Sequence, residues 1–94
     1  MYFIANWKMY GNNRDIERSK SLIKLINQKK YKKIKVIYCP PYTLLKSFYD
    51  KVKKSKIFIG AQNCNSSEDF GPVTGSINPK LIKSTGAKYV IIGH

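Results

Sequence analysis

The sequence predicts an α/β fold, a parallel sheet of order βαβαβαβ that reads as the N-terminal half of an eight-stranded (β/α)8 barrel. Three observations predict it. Short apolar runs open near positions 2, 34, 57 and 88, a repeat of about thirty residues that suits successive βα units. Amphipathic segments separate them. Three of the runs are nearly continuous in apolar residues, as parallel strands covered on both faces require. A complete barrel of eight such units takes about 250 residues, so four strands in 94 residues amount to half of one. Because βαβ crossovers are right-handed, successive strands lie side by side in chain order and the sheet curls one way. A mass of 10.8 kDa leaves no room for a second domain, and residues 1–94 are read as the first half of a single barrel domain.

The elements follow in order. Strands are expected at Tyr2 to Met9, Ile34 to Cys39, Ile57 to Asn63 and Lys88 to Gly93. The first helix starts at Asn12 or Asn13 as N-cap and carries Asp15 and Glu17 in its first turn. It buries Ile16, Leu22, Ile23 and Ile26 and ends at Lys29 and Lys30. Cap, period and helix dipole agree on those limits. The second helix begins after Pro40 and Pro41 and aligns Leu44, Leu45, Phe48, Tyr49 and Val52 in one apolar stripe. The third is short, with Asn78 as N-cap, Pro79 at the first helical position and Gly86 just past its end.

Composition narrows the function classes. Hydrophobic residues at 43% and charged residues at 24% are those of a folding chain, not a disordered one. No apolar run is long enough to span a bilayer, and the N-terminus lacks the pattern of a secretory signal, so a cytoplasmic protein without a membrane partner is expected. Cys39 and Cys64 belong to no CxxC or Cys/His cluster and are expected to be free thiols, with no metal site. The net charge of +13 invites a polyanion-binding reading. Against it, sixteen of the 18 basic residues are lysines, whereas base readout favours arginine. The lysines are also spread along the chain, thickest at 29–35 and 51–56. A solvated basic face and no nucleic-acid partner are therefore expected.

Residues two apart share a strand face, which locates the chemistry. Tyr2, Ile4, Asn6 and Lys8 fall on one face of the first strand, so an amide and an ammonium converge at its C-terminal end. Val90, Ile92 and His94 fall together on the last strand, with the imidazole again at the C-terminal end. That end is where active sites form in β/α barrels.

Four segments together resemble triosephosphate isomerases: Ala5-Asn6-Trp7-Lys8-Met9, Gly60-Ala61-Gln62-Asn63, Gly71-Pro72-Val73-Thr74-Gly75, and Gly86 through Lys88-Tyr89-Val90-Ile91-Ile92-Gly93-His94. The resemblance runs the length of the chain, in order. It implies a TIM barrel that interconverts dihydroxyacetone phosphate and glyceraldehyde 3-phosphate through an enediolate in cytoplasmic glycolysis, without metal or organic cofactor. It also implies a homodimer. Asn6 and Lys8 match the residues that hold substrate. His94 matches the electrophile, a neutral imidazole that polarises the carbonyl; Gln62 matches a glutamine beside the lysine, and Thr74 the threonine that reaches into the partner subunit's site. Ser76 stands where the family usually has glutamate, which weakens the expected dimer contact. Pro72-Val73 replaces the commoner alanine-aromatic pair.

Abstraction of a proton next to a carbonyl needs a positioned base, and the five carboxylates, Asp15, Glu17, Asp50, Glu68 and Asp69, sit on helices or in a loop and not at strand ends. The sequence therefore reads as the electrophilic half of an isomerase site, inactive alone. The alternatives are a truncated gene product with no catalytic role and a small basic module that binds polyanions.

Overall fold

The structure is a computed structural model that describes residues 1–67 and 69–94. Four strands, β1 (Tyr2–Asn6), β2 (Lys35–Cys39), β3 (Ile57–Ala61) and β4 (Tyr89–Val90), pair in parallel in the order β1-β2-β3-β4. Each strand neighbours the next in sequence, as the right-handed crossover rule requires. All four are shorter than expected, and β4 most of all. The apolar runs overshoot because their ends leave the ladder: Lys8 and Gly93 both turn to positive φ, at 54° and 71°.

The first expected helix is two, α1 (Asn13–Arg18) and α2 (Lys20–Ile26), broken at Ser19. The Ser19 hydroxyl donates back to the Ile16 carbonyl at 2.5 Å, the local bond by which serine competes with helix continuation. Asn12 is the N-cap in a full capping box with Asp15, each satisfying an amide of the other's turn. Lys29–Tyr31 forms a separate 3₁₀ turn beyond the helix. After Pro41, a 3₁₀ turn leads into α3 (Leu45–Val52). Leu45, Phe48 and Val52 are buried, with Leu44 and Tyr49 half-buried at the margins of the stripe. The last helix, α4 (Pro79–Ser84), has the expected cap: Asn78 Oδ1 accepts from the Leu81 amide at 2.8 Å.

Helix side chains Ile16, Ile26, Leu45, Phe48 and Ile82 pack with Val36, Ile59 and Ala61 in one core. Its densest part is aromatic: Trp7 meets Phe48 edge-on with centroids 4.9 Å apart, and Tyr38 meets both rings. The other face of the sheet carries Tyr2, Ile4 and Asn6, in register with Lys35, Ile37 and Cys39. Gly60 shares it, since a Cβ there would lie 2.9 Å from Cys39 Sγ and 3.2 Å from Tyr89 Cβ. Tyr89 therefore belongs to the face with Ile37 and Cys39 and Val90 to the other, and because β4 ends at Val90, alternation does not carry through Ile92 to His94. Ile4 on that face is 59% exposed and Ile92 73% exposed. The solvent-accessible surface is 6910 Å², against about 5,500 Å² for an ordinary monomer of this mass.

Candidate functional site

An open pocket of about 430 Å³ at the C-terminal ends of the strands is lined by Asn6, Lys8, Met9, Gln62, Asn63, Gly93 and His94. All four expected groups at this end, the Asn6 and Gln62 amides, the Lys8 ammonium and the His94 imidazole, thus line one pocket where β1, β3 and the segment after β4 end.

Lys8 holds the only left-handed backbone among the non-glycine described residues, φ 54°. For a lysine this conformation costs about 1–2 kcal/mol, and it is held from both sides. Its amide donates to Asn6 Oδ1 at 2.9 Å. Its carbonyl accepts from Gln62 Nε2 at 2.7 Å, and the same nitrogen donates to the Cys39 carbonyl at 2.8 Å. One side-chain amide therefore joins the ends of β1, β2 and β3. The Cys39 carbonyl also accepts from the Trp7 amide at 3.0 Å, which carries the ladder one residue past β1. Trp7 then enters the core, and Lys8 turns the other way into the pocket.

Glycines permit both turns. A Cβ on Gly11, at φ 113°, would stand 2.7 Å from the Trp7 ring, so no other residue fits against that indole without moving it. Gly93, at φ 71°, breaks the alternation that would carry His94 to the face of Val90 and turns it toward Lys8 instead. His94 thus reaches the pocket by a turn, not by strand alternation.

Behind the pocket, Cys39 is 1% exposed, and burial pushes its thiol above the ordinary range. A thiol buried in this way is held uncharged, and Cys39 does not line the pocket. Both cysteines are free thiols. Among the described residues, no group of three or more His, Cys, Asp or Glu could hold a metal ion. None of the described carboxylates lines the pocket: Asp15, Glu17 and Asp50 are on α1 and α3 and Asp69 is in the loop before α4. Glu68 lies outside the described residues.

Thr74 is exposed in the long loop after β3 and stays out of the pocket. That loop is tied at its base by the Asn65 amide, which donates to the Ile77 carbonyl at 2.7 Å, and by Asn78 Nδ2, which donates to the Asp69 carbonyl at 3.0 Å. Val73 and Ser76 line a small separate hollow there. Sequence reasoning missed Met9 and Asn63 as pocket walls. It also missed the backbone duty of Asn6 and Gln62, since nothing in the sequence marks a lysine as left-handed. A second hollow, along the core side of β1 beside α2, is apolar and holds no candidate chemistry.

The family model described as triosephosphate isomerase matches residues 1–94. The chain is 32% identical over 93 residues to the triosephosphate isomerase of Bartonella tribocorum, covering 99% of this chain and 36% of that protein. It is 37% identical to that of Hahella chejuensis and 40% identical to that of Clostridium botulinum strain Loch Maree, in each case over 96% of this chain and 35% of the relative. The crystal structure of triosephosphate isomerase from Bartonella henselae superimposes with a TM-score of 0.87 at 33% identity, over 99% of this chain and 37% of that one. The chain spans a little over a third of the length of the relatives it matches, and the four parallel strands correspond to the N-terminal half of a TIM barrel. With the whole of its length matched, the chain belongs to the triosephosphate isomerase family.

Proposed function

We propose that residues 1–94 supply the substrate-holding and electrophilic part of a site that interconverts dihydroxyacetone phosphate and glyceraldehyde 3-phosphate. The observation that carries this reading is the convergence of Asn6, Lys8, Gln62 and His94 from separate strand ends on one pocket. The Lys8 ammonium offsets the charge of the substrate phosphate and of the enediolate that forms during proton transfer, a stabilisation worth most at the position where charge develops. Asn6 and Gln62 fix the lysine backbone, so the ammonium is placed before substrate arrives. The His94 imidazole donates to the substrate carbonyl and draws electrons from the carbon that loses its proton. The proton itself goes to a base outside the described residues, since no described carboxylate lines the pocket. The active protein would be a homodimer in the cytoplasm, with Thr74 reaching the partner's site and Ser76 making a weaker subunit contact than glutamate.

Complementation tests this. The chain refolded together with a polypeptide covering the remaining strands of a related isomerase should convert triose phosphates. Activity should fall by orders of magnitude with Lys8→Ala or His94→Ala and only slightly with Ser76→Ala. A soluble complex that binds substrate and turns over equally well with His94→Ala would remove the electrophile assignment.

A further inference from the structure

We propose that the rim of the sheet opposite the pocket is a docking surface for single-stranded nucleic acid, gripped through its phosphates without regard to sequence. The parallel register of all four strands gathers the segments that lead into β2, β3 and β4 at one end. Those segments, residues 29–35, 53–56 and 85–88, hold nine lysines and no aspartate or glutamate. All nine are exposed. At the pocket end, segments 7–12, 40–44, 62–67, 69–78 and 91–94 hold one lysine, Lys8, against Asp69. Lysines that look dispersed in the sequence are thus sorted by topology onto one end of the sheet, where the solvated face expected from the sequence becomes a concentrated cationic surface.

Ion pairing sharpens the contrast. Lys20, Lys46 and Lys80, in the first turns of their helices, sit 2.9, 2.6 and 2.8 Å from Glu17, Asp50 and Asp69. Of the nine rim lysines, only Lys53 comes within ion-pair distance of a carboxylate among the described residues, at 3.9 Å from Asp50. The other eight keep their charge uncompensated, which is the condition for releasing counterions from a polyanion.

Within or next to these segments Ala87 and Ile57 are buried and Ile34 is half-buried, while Met1, Tyr2 and Phe3 at the start of β1 are exposed beside them. Rings do lie among the ammonium groups, with Lys35 Nζ 5.4 Å from the centre of the exposed Tyr2 ring and Lys30 Nζ 5.1 Å from that of Tyr31. Unpaired bases stack on such rings whatever their identity. With no arginine in these segments, bidentate reading of base edges is absent. This surface is independent of the isomerase reading, since it lies at the other end of the sheet.

The test is fluorescence anisotropy of the full chain with a labelled oligouridylate of about twenty nucleotides. Engagement of about five phosphates by single strands gives an affinity loss of about a hundredfold between about 50 and 200 mM salt. The triple variant Lys32→Gln, Lys33→Gln, Lys54→Gln should lose at least about tenfold and flatten the salt slope. The triple variant Lys20→Gln, Lys46→Gln, Lys80→Gln removes the same charge from lysines already paired with carboxylates and should change affinity less than about threefold. Circular dichroism establishes that both variants keep the native fold. Oligouridylate and oligoadenylate should bind within a few-fold of each other. Equal losses in the two triple variants, no binding at the lower salt, or tighter rim-dependent binding to phosphatidylserine vesicles than to the oligonucleotide would overturn the proposal.

Discussion

Gln62→Ala tests whether the pocket depends on holding Lys8 in its left-handed backbone. The substitution deletes both bonds made by Gln62 Nε2, at 2.7 Å to the Lys8 carbonyl and 2.8 Å to the Cys39 carbonyl. The Cys39 carbonyl keeps the Trp7 amide at 3.0 Å, so the loss falls mainly on Lys8. A net hydrogen bond contributes about 1 kcal/mol, which puts the lost support at about 1–2 kcal/mol. That is the size of the strain it opposes, about 1–2 kcal/mol for a left-handed non-glycine residue. With the two nearly balanced, Lys8 no longer has a single preferred backbone. At about 1.4 kcal/mol per factor of ten, kcat/KM of the complemented enzyme should fall about five- to thirtyfold. Gln62→Met restores the bulk without the donors and should be no better than alanine. Gln62→Glu keeps the shape but puts a carboxylate oxygen where Nε2 donates to both carbonyl oxygens, and should be worse. Methionine within threefold of native, or rescue by glutamate, would show that Gln62 merely fills space.

Three further outcomes follow from the packing. The Glu17 carboxylate is held below the ordinary glutamate range, first by its hydrogen bond from Lys20 and then by that from Lys51, both at 2.9 Å. A lowered folded-state value stabilises the fold above the ordinary glutamate range and loses that effect as pH falls through the folded value. The urea midpoint of the complemented complex should thus drop on acidification, and Glu17→Gln should flatten that limb; parallel curves would contradict it. Gly86→Ala combines φ 97° with a Cβ driven into the Tyr49 ring and should cost at least about 2 kcal/mol in chemical denaturation of the complemented complex, whereas Gly71→Ala, with open space around it, should cost far less. The 94-residue polypeptide alone, with Ile4 exposed on the sheet face opposite the helices and Ile92 exposed beyond β4, should self-associate in light scattering and show no isomerase activity above background; a dilute monomer with a cooperative transition would count against the first expectation, and turnover lost in Lys8→Ala against the second.

The fold was legible because its signals are local and mutually consistent. Strand spacing, the Asn12 and Asn78 caps, and the stripe from Leu45 to Val52 each point to the same βα repeat, and a parallel sheet in chain order is then almost the only solution. What local signals missed is where elements stop. Ser19 sits inside an unbroken apolar period, yet its hydroxyl offers the Ile16 carbonyl a closer partner than the helix does, and one helix becomes two. The apolar run to Gly93 reads as a full strand, but β4 pairs only at Tyr89 and Val90. The apolar pattern continues past the last ladder bond, where Ile92 is 73% exposed, so there it marks neither pairing nor burial.

The same limit governs the site. Alternation along β1 puts Lys8 on the face of Asn6, and Lys8 does line the pocket with Asn6, but not as the next residue of a strand. The strand ends at Asn6, the ladder bond of Trp7 is the last, and Lys8 arrives through a left-handed turn that the Asn6 and Gln62 side chains hold. For His94 alternation fails outright: Tyr89 shares the face of Gly60 and Cys39, so a regular strand would send His94 to the core side, and the positive φ of Gly93 reverses it. A site at strand ends must break the strand period to turn its side chains toward one another. Strained or glycine-dependent backbone there is the physical condition for convergence, and it leaves little trace in a hydropathy pattern. A lone glycine before a histidine, or an asparagine two residues before a lysine, is the mark it leaves in the sequence, and only the parallel register shows that the two marks face each other.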